Sequence, residues 1–208
     1  MNPPHNLHFL LATQNKGKAL EIRRALSQFD IAFDTLEQYD SLPEAREIGC
    51  TFSENAHLKA IHYHTLTGMP VLAEDSGLVV DGLGGKPGIH SARFASTDKK
   101  RISRLLKMMN SFSDDTERTA YFVSAICVIF PSHSIEVIGK VNGLITRIPQ
   151  GNQGFGYDPV FYYPPLGKTF SQITVEEKNR ISHRAIALNK LLRKLECLPN
   201  TTTNQTEL

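Results

Sequence analysis

The spacing of apolar residues changes along the chain, and each change predicts a new element. A short apolar run from Leu7 to Thr13 stops at polar residues, which is typical of a buried first strand. Asn15 can cap the helix that follows, because apolar residues then recur at helical spacing. Residues Ile31 to Leu36 resemble a second strand, and the acidic stretch from Glu37 to Gly49 resembles a long loop. The chain therefore opens as strand, turn, helix and strand.

The middle of the chain continues this alternation and then breaks it. Thr51 and Glu54 form a capping-box pattern before a helix that Gly68 ends, and Val71 to Ala73 resumes the sheet. Helical spacing returns from Thr97 to Ser111. Two stretches rich in β-branched and aromatic residues then predict a hairpin of long strands, "TAYFVSAICVIF" and "SIEVIGKVNGLITRI". We predict an α/β fold with a long mixed sheet flanked by helices.

The last predicted helix contains a break. Thr174 and Glu177 form a second capping box, but one straight helix would point the polar residues that follow in different directions. Ser182 can cap a fresh helix, whose first turn then holds His183 and Arg184 beside the positive end of the helix dipole.

Length and charge limit the class of protein. The 208 residues can form a single domain, which we place at residues 1–197, and the apolar-poor segment 198–208 is predicted to be disordered. A net charge of +2 is too small to indicate a nucleic acid polymer as the partner.

The cysteines and the apolar runs indicate a cellular setting. Cys50, Cys127 and Cys197 match neither a disulfide framework nor a zinc-ligand spacing, so we expect a reducing, cytoplasmic environment. The first residues show no signal segment, and no apolar run reaches the 18 residues or so of a membrane span. We therefore expect no membrane as partner.

Two adjacent acids follow the third predicted strand. Glu74 and Asp75 precede Ser76 and Gly77, which we interpret as a turn. An acid at the carboxyl end of a buried strand lies at the rim where α/β sheets bind ligands. Neighbours on an extended chain point to opposite sides, so we expect Asp75 to face a site and Glu74 to lie behind it. Alternatively, both acids only cap the turn.

The segment "TQNKGK", Thr13 to Lys18, is a candidate phosphate cradle. It offers a hydroxyl, an amide and two ammonium groups where a helix begins, and helix N-termini favour anions. It is not a Walker A loop, because Ala12 and Ala19 stand where that motif requires glycine and a hydroxyl residue. An ordinary capped helix with solvated lysines is the alternative.

The glycine-rich segment "GNQGFGYDPVF", residues 151–161, is a candidate base-binding loop. We expect it to expose Phe155 and Tyr157, which can stack on a base, while Asp158 can accept a hydrogen bond from a ring N–H. The aromatic residues can instead pack under the loop.

Carboxylates rather than histidines are the candidate metal ligands. The histidines at positions 57, 62 and 64 do not share one helix face, so they do not predict a metal site. Mg²⁺ commonly joins one or two carboxylates to phosphate oxygens, which suggests Asp75 with Glu47 or Glu54.

Taken together, these segments resemble those of the inosine triphosphate pyrophosphatase family, and of its bacterial-type branch in particular. The resemblance covers Leu7 to Leu195. Five blocks have the family's order and spacing: "LATQNKGKALEI", "TFSENAHLKA", "LAEDSGLVVDGLGGKPGIHSARFA", "GFGYDPVF" and "EEKNRISHRAIAL".

The resemblance implies an enzyme that hydrolyses non-canonical purine nucleoside triphosphates such as ITP, dITP and XTP to the monophosphate and pyrophosphate. It also implies two lobes with a substrate cleft between them, a homodimer and dependence on Mg²⁺. Asp75 corresponds to the general base and, with Glu47, to the metal-associated acids, and Lys18 to a catalytic cation. Substrate contacts are implied for Thr13, Gln14, Asn15, Lys16, Gly17, Lys18, Ser76, Phe155, Gly156, Tyr157, Asp158, Lys178, His183 and Arg184.

Two residues depart from the family's pattern. Gln14 replaces a small residue, and Glu74 replaces the first of two aspartates. In the implied mechanism Lys18 and Lys178 stabilise the departing pyrophosphate. Arg184 has only donors, so it can bind a 6-keto oxygen but not the amino group of adenine.

Two other classes of function use similar residues. A nucleotide-sensing module without turnover would keep the same pocket. A phosphotransferase is disfavoured, because the Walker and kinase loops are missing.

Overall fold

A computed structural model describes residues 7–39 and 42–197 of the chain, so the predicted disorder of residues 198–208 concerns a segment outside the described residues. Seven strands form one sheet in the order β2-β1-β3-β4-β5-β6-β7. β1 is parallel to β2 and β3, whereas the remaining pairs are antiparallel, which confirms the predicted mixed sheet. The strands are β1 Leu7–Ala12, β2 Ile31–Thr35, β3 Val71–Val80, β4 Thr119–Ile129, β5 Ser134–Ile145, β6 Phe161–Tyr163 and β7 Lys168–Thr169.

Within the described ranges, five α-helices accompany the sheet, and each begins behind a side-chain cap. The predicted break before His183 is confirmed, because the Ser182 hydroxyl accepts from the Ala185 N–H at 3.2 Å and starts a new helix. None of the helices in the described residues is long and apolar enough to cross a membrane. The helices are α1 Lys16–Leu26, α2 Phe52–Thr67, α3 Asp98–Met108, α4 Val175–Ile181 and α5 His183–Glu196.

The core follows the two-residue period of the central strands. On β4, Ala125 and Cys127 pack with α2 on one face of the sheet. Ile126 and Val128 pack on the other face with α1 and α5. A third apolar cluster lies at the far end of β3 and β4, where α3 and the segment from β6 to α4 cover the sheet. The helices thus enclose one end of the sheet on both faces, and a separate core holds the other end.

The third strand is longer than the sequence suggested. β3 does not turn at Ser76 and Gly77 but continues to Val80, paired with β4 along its whole length. A side chain at Gly77 would collide with Ser91 and Gly88, so this glycine permits a close approach rather than a turn. The predicted turn was therefore wrong.

The neighbouring strand explains why Asp75 still lies at a rim. β1 ends at Ala12, which is opposite Ala73, so β3 loses its parallel neighbour just before the two acids. From Glu74 onward β3 pairs with β4 on one side. On its other side, the space beyond the end of β1 is open. Asp75 therefore lies at the edge of the parallel part of the sheet because β1 ends beside it, although β3 itself continues.

Candidate active site

Two adjoining cavities open where β1 ends beside β3. Each contains about 740 Å³ of open space, counted together with the adjoining solvent. They share Asn15, Lys18, Ser76 and Ala92, and so form one continuous cleft. What we call the polar cavity is lined further by Thr13, Gln14, Glu47, Lys59, Asp75 and Arg93. The aromatic cavity is lined further by Gly17, Phe122, Phe155, Gly156, Tyr157, Asp158, Lys178, His183 and Arg184.

The segment between β1 and α1 forms the wall that the two cavities share. Asn15 caps α1, its Oδ1 accepting the Lys18 N–H at 3.1 Å, and the Thr13 hydroxyl accepts the Asn15 N–H at 3.2 Å. The Lys18 ammonium lies 3.4 Å from Glu74 Oε2 and lines both cavities. Lys16, by contrast, is exposed and lines neither cavity. The segment thus lines the cleft, with one of its two lysines directed elsewhere, and its binding of phosphate stays a prediction.

Asp75 provides the least satisfied polar atom of the polar cavity. Its Oδ1 accepts the Ser76 N–H at 3.0 Å, whereas Oδ2 is buried and has no hydrogen-bond partner among the described residues. Burial raises the pKa of Asp75, and the charges of Lys18 and Lys59 oppose that shift only in part. An unpaired buried carboxylate oxygen is costly, so this atom is suited to a metal ion or a water molecule.

Glu47 faces the same cavity between two cations. The Lys59 ammonium lies 2.5 Å from Glu47 Oε1, and the Arg93 guanidinium pairs with Oε2. Glu54, the alternative acid, is exposed and accepts the Cys50 N–H at 2.6 Å outside both cavities. The structure therefore brings Glu47, and not Glu54, to the cavity of Asp75.

Lys59 and Arg93 were missed by the sequence analysis. Lys59 also donates to the Glu74 carbonyl oxygen at 3.2 Å, which ties α2 to β3 beside the cavity. It lies four residues after Asn55 and four before Tyr63, both buried, so helical spacing places it beside the buried stripe of α2. That position was a usable signal for Lys59. Arg93, the last residue of the 3-10 helix Gly88–Arg93, offered none.

Glu74 points to the opposite side of β3 from Asp75, as predicted. Its Oε1 accepts from Ser124 at 2.7 Å and from Arg184 Nε at 2.9 Å. Burial alone would raise the pKa of Glu74, but Arg184 and Lys18 outweigh it and hold this pKa far below its ordinary value. Glu74 is thus a permanent anion that holds two site cations in position.

Lys178 and Glu21 extend this buried network. The Lys178 ammonium lies 2.9 Å from Glu21 Oε1 and 2.5 Å from Asp158 Oδ2, and 4.8 Å from the centre of the Phe155 ring. Lys178 therefore lines the aromatic cavity, and its contact with the departing pyrophosphate stays a prediction. Glu21 was missed, although it lies one helical turn after Lys18.

The loop after β5 is only partly as predicted. Phe155 is half-buried, and a side chain at Gly17 would come within 2.9 Å of its ring. Tyr157 is buried and donates to the Ser91 carbonyl at 3.0 Å, so its predicted exposure was wrong. Asp158 is also buried, and its Oδ2 accepts the Phe155 N–H at 2.9 Å beside Lys178. Asp158 therefore shapes the loop from behind.

The first turn of α5 closes the aromatic cavity. The His183 ring stacks on Phe122 with centres 4.7 Å apart, and its Nδ1 is buried without a partner among the described residues. Burial and the nearby Arg184 lower the pKa of His183 well below its ordinary value, so the ring is neutral near pH 7. Arg184 donates to Glu74, Glu21 and Ser76, the last at 3.1 Å, so most of its donors are already engaged.

Comparison with known proteins gives a consistent family assignment. The model of the Ham1 family matches residues 9–194. A dITP/XTP pyrophosphatase of Geobacillus kaustophilus is 44% identical over 88% of this chain and 91% of its own length. A HAM1 protein from Coxiella burnetii superposes with a TM-score of 0.82 at 38% identity, over 91% of this chain and 98% of its own.

A second solved structure agrees. The Staphylococcus aureus Ham1 protein also superposes with a TM-score of 0.82, at 36% identity, over 91% of this chain and 98% of its own. The chain belongs to the Ham1 family, which confirms the assignment drawn from its five sequence blocks.

Proposed function

We propose that this member of the Ham1 family hydrolyses non-canonical purine nucleoside triphosphates, such as ITP, dITP and XTP, to the monophosphate and pyrophosphate. The observation that carries this proposal is the pair of cavities joined at Lys18 and Ser76. One cavity offers cations and carboxylates, and the other offers aromatic rings and base-directed polar groups. A nucleoside triphosphate is divided in the same way, into a charged triphosphate and an aromatic base. The dITP/XTP pyrophosphatases that share over 40% of its residues support the assignment.

The polar cavity is suited to the triphosphate. The start of α1 borders it through Asn15 and Lys18, and a helix N-terminus favours an anion. Lys18, Lys59 and Arg93 add three cationic side chains. Lys18, which lies at the junction of the cavities, is well placed to stabilise charge that develops on the leaving pyrophosphate.

The same cavity fits Mg²⁺. Asp75 Oδ2 is buried and unpartnered in the described chain, and Glu47 lines the same wall, so these two carboxylates would hold the ion. When bound, Mg²⁺ neutralises phosphate charge that would otherwise repel a nucleophile.

Asp75 is the proposed general base. Its burial favours proton uptake, while Lys18 and Lys59 keep the ionised form accessible near neutral pH. A carboxylate in this state can orient a water molecule and accept its proton, a role worth roughly 10² to 10⁴ in rate. The water attacks the α-phosphorus, and pyrophosphate leaves.

The aromatic cavity is suited to a purine. Phe155 provides a face for stacking, and His183 Nδ1 is free to bond to a ring edge. The remaining N–H of Arg184 can donate to a 6-keto oxygen but cannot accept from the amino group of adenine. ATP would leave a buried donor unpaired at a cost of about 1 to 3 kcal/mol, so it should be a poor substrate.

Product analysis tests the activity directly. The full chain with Mg²⁺ is incubated with ITP, XTP, dGTP and ATP, and the products are separated. We expect monophosphate and pyrophosphate from ITP and XTP, with ATP roughly 5- to 150-fold slower. Release of orthophosphate, or binding of ITP without turnover, would contradict the proposal; the latter would indicate a sensing module.

Labelled water locates the bond that breaks. In H₂¹⁸O the label should enter the monophosphate, because the water attacks the α-phosphorus. Label in pyrophosphate would show attack at the β-phosphorus instead.

The homodimer implied by the resemblance and the cytoplasmic setting belong to the same proposal. Cys50, Cys127 and Cys197 are all free, which suits a reducing compartment. A small nucleotide, and neither a nucleic acid polymer nor a membrane, is the proposed partner. Sedimentation of the full chain tests the dimer.

A further inference from the structure

A cluster of three potential metal ligands lies outside the cleft. Among the described residues, His57 of α2, Cys127 of β4 and Glu136 of β5 place one ligand atom each within 4.8 Å of one another. None of the three lines either cavity. The three cysteines are far apart in the sequence, and the ligands come from three separate elements, so no spacing motif could reveal this group.

The sheet register brings two of these ligands together. Cys127 and Glu136 are directly opposite each other on the antiparallel pair β4 and β5, so their side chains leave the same face of the sheet as close neighbours. Helix α2 packs on that face and adds His57. The ligands are therefore mounted on regular elements, which limits their movement.

The distances suit a tetrahedral metal ion. His57 Nδ1 lies 2.9 Å from Glu136 Oε1 and 3.8 Å from Cys127 Sγ. Tetrahedral zinc with ordinary bond lengths requires roughly 3.4 Å between the nitrogen and oxygen and roughly 3.6 Å between the nitrogen and sulfur. Small side-chain rotations convert one arrangement into the other, and both His57 and Glu136 are part-exposed enough to make them.

We propose that His57, Cys127 and Glu136 form a second metal site that binds Zn²⁺, with water as the fourth ligand. A nitrogen, sulfur and oxygen donor set favours zinc over Mg²⁺, which prefers oxygen ligands only. The thiolate and carboxylate charges balance the ion, so the buried side of the site carries no net charge. Zinc binding would release the thiol proton of Cys127 to solvent as the Zn–S bond forms.

Zinc at this position would join α2 to the β4–β5 hairpin. Because the ligands converge only in the folded chain, binding stabilises the native state. The proposal does not depend on the proposed hydrolysis, since it uses residues outside the cleft, and its failure would leave that activity untouched.

Metal binding to the full chain tests the site. The chelator-treated protein is dialysed against Zn²⁺ with excess Mg²⁺ present, so that the active-site carboxylates do not contribute. We expect one equivalent of zinc per chain and a zinc-dependent rise in Tm. Co²⁺ in place of zinc should give a thiolate-to-metal charge-transfer band and the strong visible absorption of a four-coordinate ion.

Variants separate this site from adventitious binding. Cys127→Ala should abolish the charge-transfer band, and Glu136→Gln and His57→Gln should each weaken zinc binding at least about 100-fold. Cys50→Ser and His62→Gln change residues of the same types outside the cluster and should change nothing. If Cys127→Ala does not fold, the two surface variants decide. Unchanged binding in Glu136→Gln and His57→Gln, loss in the controls, or a Co²⁺ spectrum without a thiolate band would overturn the proposal.

Discussion

The two cavities of the cleft differ in how completely their charged groups are paired. Behind the aromatic cavity, Glu21, Glu74 and Asp158 hold Lys178 and Arg184 in a buried network of ion pairs. In the polar cavity, Asp75 keeps a buried oxygen without a partner among the described residues. The comparison separates two requirements. Selecting a base needs side chains held rigidly before the ligand arrives, whereas chemistry needs a group that only the ligand satisfies.

Asp75→Asn is expected to have the largest effect, because it tests whether this carboxylate takes part in the chemical step. The amide retains shape but cannot accept a proton, so kcat for ITP should fall by roughly 10² to 10⁴ while ITP binding largely survives. Steady-state kinetics with a calorimetric Kd would show this. Glu54→Gln, the same chemical change at an exposed acid outside the cleft, is the control. A Kd that rises while kcat stays unchanged would mean that Asp75 serves binding alone.

Glu74→Gln tests the rigid side of the cleft. It removes the buried counter-charge of Lys18 and leaves Arg184 with Glu21 alone, so the free energy of unfolding should drop by about 3 to 5 kcal/mol. Urea unfolding measures the change. Asp115→Asn breaks an exposed pair with Arg147 and should cost less than about 1 kcal/mol. Equal losses in the two variants would show that the buried network does not stabilise the fold.

Because the pKa of Glu74 is low, the stability lost in Glu74→Gln should depend on pH. Because the folded-state pKa lies below the unfolded value, its contribution to stability is full above the unfolded pKa of about 4.3. That contribution is lost as the pH falls through the folded-state pKa. The stability difference between Glu74→Gln and the native chain should therefore shrink in acid. A difference that stays constant down to low pH would argue that Glu74 is not a buried anion.

The pH dependence of activity in acid tests Asp75, whose pKa is raised whereas that of Glu74 is lowered. Its pKa is raised, so the base is protonated at a higher pH than an ordinary aspartate with a pKa of about 3.9. Below the raised pKa of Asp75, kcat/KM should fall about tenfold per pH unit. Residual activity of Asp75→Asn should lack this limb. A limb that persists in the variant would assign the titration to another group.

The smallest effect is expected at the junction of α1 and the base-binding loop. The side chain of Gly17→Ala would approach the Phe155 ring to 2.9 Å, so the ring must shift. Such overpacking costs about 1 to 3 kcal/mol, and we expect KM for ITP to rise at least about fivefold with kcat little changed. Leu20→Ala, at an exposed position of the same helix, is the control. A fall in kcat alone would place Phe155 in the chemical step.

Much of the cleft was predictable because the elements that line it begin at residues whose short-range interactions can be recognised in the sequence. The Asn15 cap and the Ser182 break depend on side chains that bond to backbone a few residues away, and both are present as predicted. The opposite directions of Glu74 and Asp75 follow from strand geometry alone. The predicted turn at Ser76 and Gly77 failed, since polar and glycine residues in a strand give the same local pattern as a turn.

Local sequence patterns predicted most of the helices and long strands, several helix caps, the family, and most of the residues that line the cleft. Folding in three dimensions sets which charges face the ligand and which face one another. Lys178 pairs with Glu21 and Asp158, while Lys59 and Arg93 flank Glu47 in the polar cavity. The physical reason is range: a cap or a strand's alternation is written within a few neighbouring residues, whereas ion pairs across the cleft join residues from separate elements that only folding brings together.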